Sequence, residues 1–217
     1  MRVLMTLDAV GGVWRYALDL ARALAPQGVE TVFLGLGPPP AAAARAEAEA
    51  IGTLDWIDAP LDWLAEGEGA LRAVPARIAA AAHRHGADLI QANLPSQAAG
   101  MPPGLPIVAV SHSCVATWFR AVRGTGLPAG WEWQARLNAE GLRRAEAVVA
   151  PSRSHADALG ACYGALPALA VIRNAVAPAA AAGGGGHAVA AGRWWDEGKC
   201  GATLDAAAAL CRWPVRL

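Results

Sequence analysis

MRVLMTLDAVGGVWRYALDLARALAPQGVETVFLGL, Met1 through Leu36, carries the architectural signal of this chain. Residues 3–7 form a short apolar run of the kind buried on both faces of a parallel sheet. Gly11 and Gly12 follow. Val13, Ala17, Leu20 and Leu24 then recur at helical spacing until Pro26 and Gly28 stop them. Residues 29–36 give a second apolar run, closed by Gly37 and three prolines. Strand, glycine turn, helix and strand in so few residues make a parallel βαβ unit.

The same alternation continues outward. A Pro/Ala-rich stretch over 38–50 carries Arg45, Glu47 and Glu49 and reads as a surface helix. Strands are expected at 54–57, 88–92, 107–110, 147–150 and 169–172. Helices are expected over 71–85, where Pro75 is an awkward resident, and over 131–144. Another runs from 153 through 159, with Ser152 as its N-cap. Strands alternating with helices imply an α/β fold, a Rossmann-like parallel sheet flanked by helices on both faces. Ligands bind such sheets at the carboxyl ends of the strands, so the loops beginning at Asp8, Asn93, Ser111, Pro151 and Asn174 are the ones to inspect.

APAAAAGGGG at 177–186 is low in complexity and reads as a linker. After it the pattern restarts with a strand at 188–191, a loop to 201, a helix over 202–211 and the beginning of a strand at 214. Two strands do not make a stable sheet. The expected organisation is a Rossmann-like domain over 1–176, a linker over 177–186, and the truncated start of a second domain over 187–217.

Composition narrows the function. The 217 residues are 55% hydrophobic with a formal net charge of +0. Zero net charge argues against nucleic acid as a partner, which calls for a cationic face. Cys114, Cys162, Cys200 and Cys211 include no C-x-x-C pair, and no His/Cys cluster has zinc spacing. His83 and His85, two apart on a helix, point to different faces. No metal site is expected. The N-terminal apolar run is too short for a signal peptide, and no stretch is long enough to span a membrane. The expectation is a soluble, cytoplasmic protein.

Three places hold chemistry-bearing residues. Gly11-Gly12 lies between the first strand and first helix, where the backbone approaches a ligand closely and a helix N-terminus favours an anion; a ligand-free tight turn is the bland alternative. No G-x-G-x-x-G or G-x-x-x-x-G-K-S/T is present, which disfavours nicotinamide, flavin and P-loop chemistry. Ser111-His112-Ser113-Cys114 follows a strand, and His112 there could bind a sugar hydroxyl or a phosphate. Adjacent Ser and His rarely face one another, and no G-x-S-x-G supports a hydrolase built on Ser111, His112 or Cys114. Arg193 and Lys199 flank a loop ahead of a helix, suited to a diphosphate; Asp196 and Glu197 offset their charge, so a solvated loop is the plain alternative.

These weak signals coincide in one order. GGVWRYALDLARAL, VAVSHSCVATWFRAV, AEAVVAPSRSHADAL, VIRNAV and AAGRWWDEGKC together resemble the family 4 (group 1) glycosyltransferases of the GT-B fold. The resemblance implies two Rossmann-like domains across a cleft and transfer of a sugar, with retention, from a nucleotide-sugar donor to an acceptor hydroxyl. It implies no metal and no cofactor beyond that donor. It assigns Gly11 and Gly12 to the loop near the donor phosphates, His112 to the transferred sugar as the catalytic-centre residue, and Arg193 and Lys199 to the diphosphate. Pro151-Ser152 and Arg173-Asn174 match framework positions near the hinge. Cys200 stands where an Asn is common, and the family's paired donor glutamates would lie beyond Leu217, so this chain alone is expected to be inactive or incomplete as a transferase. The rival from another class is a non-catalytic Rossmann-like binding module.

Overall fold

The structure is a computed structural model that describes residues 1–166, 168–176 and 185–216. Its strands are β1 (Arg2–Asp8), β2 (Glu30–Leu36), β3 (Thr53–Trp56), β4 (Leu89–Ala92), β5 (Ile107–Val110), β6 (Ala147–Ala150), β7 (Leu169–Val171), β8 (Ala188–Val189) and β9 (Val215–Arg216). Its helices are α1 (Val13–Leu24), α2 (Ala42–Glu49), α3 (Glu68–Leu71), α4 (Val74–Arg84), α5 (Val115–Trp118), α6 (Glu132–Arg144), α7 (Arg153–Tyr163) and α8 (Gly201–Ala208).

Seven strands form one parallel sheet in the order β3-β2-β1-β4-β5-β6-β7. The alternation of apolar runs with helical patterns dictates this, because each crossover helix returns the chain to the same end of the sheet, so that the next strand runs parallel. The chain steps outward from β1 to β2 and β3, then returns and builds the other half from β4. The order reverses between β1 and β4, and the carboxyl ends of the strands at such a switch point are where parallel sheets form their ligand crevice.

Successive residues of a strand face opposite layers. Met5, Leu7 and Phe33 pack with Trp14, Ala17, Leu18 and Ala21 of α1 and with Ala48 of α2. Leu4, Val32, Leu34 and Ile90 face the other layer, with Ile78 of α4, Leu142 of α6 and Leu159 of α7. From its second residue on, β1 is buried on both faces, as its unbroken apolar run requires. Each such fully buried Leu or Ile contributes about 1.5–3 kcal/mol.

Several local expectations are corrected. The helix expected over 71–85 begins later, as α4 from Val74, Leu71 instead ending the short α3, and Pro75 sits in the first turn of α4, where its missing N–H costs no intrahelical bond. Ser152 caps α7 as expected, its Oγ accepting from His155 N at 3.1 Å, but α7 runs on to Tyr163. A helix the sequence did not announce follows β5: α5 continues into one turn of π-helix, Phe119–Arg123.

One close approach positions the site. A Cβ on Gly141, in α6, would lie 1.7 Å from the backbone oxygen of Pro95. Only glycine lets α6 rest directly on the 3₁₀ turn Pro95–Ala98, which follows β4 and carries Ser96 and Gln97.

Beyond the main sheet, β8 and β9 pair in parallel as a separate two-stranded ribbon with α8 beside them. Of the linker expected over 177–186, residues 177–184 lie outside the described residues. The ribbon and α8 bury no side chain fully, and Val189, Trp195, Leu210 and Trp213 are exposed.

Candidate functional site

The crevice between β1 and β4 gathers polar groups from the ends of β1, β4 and β5. Asp8 ends β1 and is buried, and its Oδ1 accepts from the backbone N–H of Val10 and of Gly11, both at 2.9 Å. This pins the turn leading into α1. It also takes up the Gly11 N–H, so that donor, expected to be available to an anion, is already bonded within the chain. Gly12 begins α1 with open space where its side chain would be.

Arg193 reaches this turn from the segment after the linker. A Cβ on Gly11 would lie 3.9 Å from Arg193 Nη1 and 3.7 Å from Asp8 Oδ1. The guanidinium also lies 5.3 Å from the centre of the Trp195 ring and 3.8 Å from Asp196 Oδ2. Lys199 goes elsewhere. It lines a shallow groove of about 320 Å³ with Trp194, Cys200, Thr203 and Leu204, and does not stand against the Cβ positions of Gly11 or Gly12. Of the two cations read together in the sequence, Arg193 is the one that comes within 4 Å of the Gly11 Cβ position.

The loop holding Lys199 has its own anchor on the main body. Arg123 donates to both carboxylate oxygens of Glu197, at 3.0 and 2.7 Å, while its guanidinium sits 5.5 Å from the centres of the Trp118 and Phe119 rings. Gly198 packs on Trp118 and Val122.

His112 stands two residues past β5, half-buried, at the rim of the crevice. Its Nε2 is 3.3 Å from Asn93 Oδ1. The ring of Tyr16, from α1, packs edge-on at 4.4 Å and 71°. Burial, and then the charge of His155, push its pKa down to about 4. At neutral pH it is therefore an uncharged imidazole, able to accept or donate one hydrogen bond but carrying no positive charge to a phosphate.

Beneath it lies a buried network. Asn93 donates from its backbone N–H to Thr6 Oγ1 at 2.9 Å and from Nδ2 to the Thr6 carbonyl at 2.7 Å. Gln91 Nε2 donates to Asn93 Oδ1 at 3.2 Å. Thr6 Oγ1 donates to Gln97 Oε1 at 2.6 Å, and the neighbouring Ser96 donates to Asp62 Oδ2 at 2.9 Å. Burial raises the pKa of Asp62 above the usual carboxylate range, against the hydrogen bond from Ser96.

The hydrolase constellation does not assemble. Ser111 is fully buried and its Oγ lies 2.9 Å from Nε2 of His155, not His112. Burial lowers the pKa of His155, opposed by its bond to the Ser111 backbone. Cys114 is buried, its Sγ 3.3 Å from Thr117 Oγ1 and 3.1 Å from the Tyr163 hydroxyl. These groups hold α5 and α7 against β5 and are not open to a substrate. Sequence reasoning flagged the loop at Asn93 but missed Thr6, Tyr16, Gln91, Gln97 and His155. The available signal was polar residues inside apolar strands: Thr6 within β1 and Gln91 within β4. Among the described residues no group of three or more His, Cys, Asp or Glu side chains could hold a metal ion, and no helix is long and apolar enough to cross a membrane.

Known folds resemble this arrangement. Anabaena HepE, in structures titled as complexes with UDP and with UDP and glucose, superposes with TM-scores of 0.53 and 0.55 at 19% and 18% identity, over 80% of this chain and 44% of HepE. A sucrose-phosphate synthase structure from Thermosynechococcus elongatus gives a TM-score of 0.53 at 12% identity, over 97% of this chain and 100% of that one. At these identities the likeness is one of fold: a seven-stranded Rossmann-like parallel sheet with flanking helices, of the GT-B type. The chain spans less than half the length of HepE. Among curated proteins none matches the sequence. The profile named Glycosyltransferase Family 4 covers residues 10–180, from the glycine turn through β7, and the chain belongs to that family.

Proposed function

We propose that this chain forms the acceptor side of a retaining glycosyltransferase, with 1–176 as one domain and 187–217 as the start of the donor domain. The donor is a nucleotide sugar whose diphosphate lies between the Gly11-Gly12 turn and Arg193, and whose sugar meets His112. The observation that carries this reading is the convergence of Arg193 on Gly11 from a distant segment, beside His112 at the crevice where the strand order reverses. In the reaction an acceptor hydroxyl forms a bond to the anomeric carbon as the bond to the diphosphate breaks. The nucleoside diphosphate leaves with the electron pair and the hydroxyl proton is released. Negative charge grows on the diphosphate, where Arg193 and the start of α1 stabilise it. Uncharged His112 orients the sugar and is not the nucleophile.

Calorimetric titration with UDP and with UDP-glucose, each present in a structure of HepE titled as its complex, tests the reading. Binding to this chain is expected to be weak. Arg193→Ala should weaken it by roughly two- to fivefold, the worth of one solvent-facing charge. Equal affinity in Arg193→Ala, or no heat at millimolar ligand, defeats the assignment. A non-catalytic binding module is the second reading, favoured by the open ribbon with Trp195 and Trp213 exposed. Binding of UDP-glucose with no release of UDP across an acceptor panel, in a form extended by a complete donor domain, would support it.

A further inference from the structure

We propose that Asn93 is a positioning residue that holds the side-chain proton of His112 on Nε2, leaving Nδ1 as the lone-pair acceptor for a hydroxyl of the bound sugar. The sugar in this statement rests on the reading of His112 given above; the tautomer does not.

The Asn93 amide has one workable orientation. Its Nδ2 donates to the Thr6 carbonyl at 2.7 Å. Turning the amide over would set two carbonyl oxygens against each other at that distance. The backbone of Asn93 is also held, its N–H bonded at 2.9 Å to the Thr6 hydroxyl, which is itself committed to Gln97. Gln91 Nε2 donates to the same Oδ1, as an acceptor oxygen requires. Oδ1 therefore faces His112 Nε2 at 3.3 Å, and an acceptor there demands a proton on Nε2.

A neutral imidazole carries one N–H, so Nδ1 is left bare. The imidazole is neutral because it is desolvated; the titratable groups facing it are His155 from α7 and Tyr16 from α1, and the His155 charge opposes its protonation further. Tyr16 also holds the plane of the ring. Among the described residues no group bonds to Nδ1 of His112. A ligand meeting Nδ1 must donate, as a sugar hydroxyl does and a phosphate oxygen does not.

The test is the ¹⁵N spectrum of the histidine side chains in the 217-residue chain at neutral pH, with His112 assigned through His112→Gln. The wild type should show His112 with Nε2 protonated. Asn93→Ala should lower the ratio of the Nε2–H to the Nδ1–H form by about three- to tenfold, the worth of one net hydrogen bond. Asn93→Asp, whose carboxylate also accepts, should restore the Nε2–H form and raise the His112 pKa by about one unit or more. Should Asn93→Ala fail to fold, the wild-type spectrum and Asn93→Asp decide the matter. A wild-type Nδ1–H form, an unchanged ratio in folded Asn93→Ala, or an unmoved pKa in Asn93→Asp each overturns the proposal. No sugar is present in these spectra, so a failure of nucleotide-sugar binding and a failure of this proposal are separate results.

Discussion

Acidification from pH 7 to pH 5 should destabilise the chain through His112, and His112→Gln should remove that part of the loss. His112 titrates near 6.5 when unfolded and near 4 when folded. A depressed folded pKa means that the unfolded chain binds the proton first. The stability His112 confers by remaining neutral is therefore complete above about pH 6.5 and is lost as the pH falls toward 4. At pH 5 the unfolded imidazole is almost wholly protonated and the folded one about a tenth so, which puts the loss at about 2 kcal/mol; the full shift corresponds to about 3 kcal/mol. His155, also depressed by burial, adds to the loss. Asp62, raised by burial, works in the opposite direction, because its folded form holds the proton to higher pH. The carboxylates Glu30, Glu47, Asp55, Glu68 and Glu146 are lowered and titrate below this window. Urea unfolding of wild type and His112→Gln at half-unit steps from pH 7.5 to 5 isolates His112 by subtraction. If both proteins lose the same stability between pH 7 and 5, the neutral, desolvated His112 described here is wrong.

Two further outcomes follow from backbone geometry. Gly141→Ala places a methyl 1.7 Å from a backbone oxygen that cannot swing aside, so α6 must withdraw from the turn at Pro95–Ala98. Against a helix-propensity gain of about 1 kcal/mol, overpacking of 3 kcal/mol or more leaves a net loss of about 2 kcal/mol. Thermal unfolding should register a fall of roughly 4–8 °C, and an unchanged or higher Tm would contradict the close approach. Cys200 holds a left-handed conformation, φ 51° and ψ 40°, at the entry to α8. Cys200→Gly should relieve about 0.5–1 kcal/mol there, a penalty of one to two offset by glycine's greater unfolded freedom. Hydrogen exchange in α8 should slow about two- to fivefold, and faster exchange would refute it.

The sheet was legible because both of its causes are local. An apolar run of strand length buries itself on two faces, and a helical apolar stripe between two such runs forces a right-handed parallel crossover. Met1–Leu36 contains the whole unit, and its repetition gives β4 through β7. The start of α4 just before Pro75 was legible in principle, since proline belongs in a first turn. The contact between α6 and the turn after β4 was not, because it depends on where Gly141 arrives in space. Cys200 shows the reverse case. The Asn common at that position in the resembling family tolerates φ > 0 better than Cys, so the departure noted in the sequence corresponds to a strained residue in the fold.

The site divides along the same line. Gly11, His112 and Arg193 each stand at the carboxyl end of a strand or just beyond one, and the general geometry of parallel sheets picks out such positions. The crevice does bring Arg193 to Gly11. Lys199, six residues further on, closes the tight turn Glu197–Lys199 ahead of the left-handed Cys200 and lines the groove with Trp194. Charge spacing along a sequence cannot anticipate such a turn. The network under His112 was hidden for another reason. Thr6 and Gln91 stand out only as polar residues within apolar strands, and their pairing with Gln97 and Asn93 becomes visible once the switch between β1 and β4 puts them side by side. Buried in the sheet, each must find a partner, and the partners available are one another. A polar residue interrupting an apolar strand at the crevice end therefore marks the residue above it as one whose orientation is imposed from below. For His112, that imposed orientation determines which ring nitrogen meets a ligand.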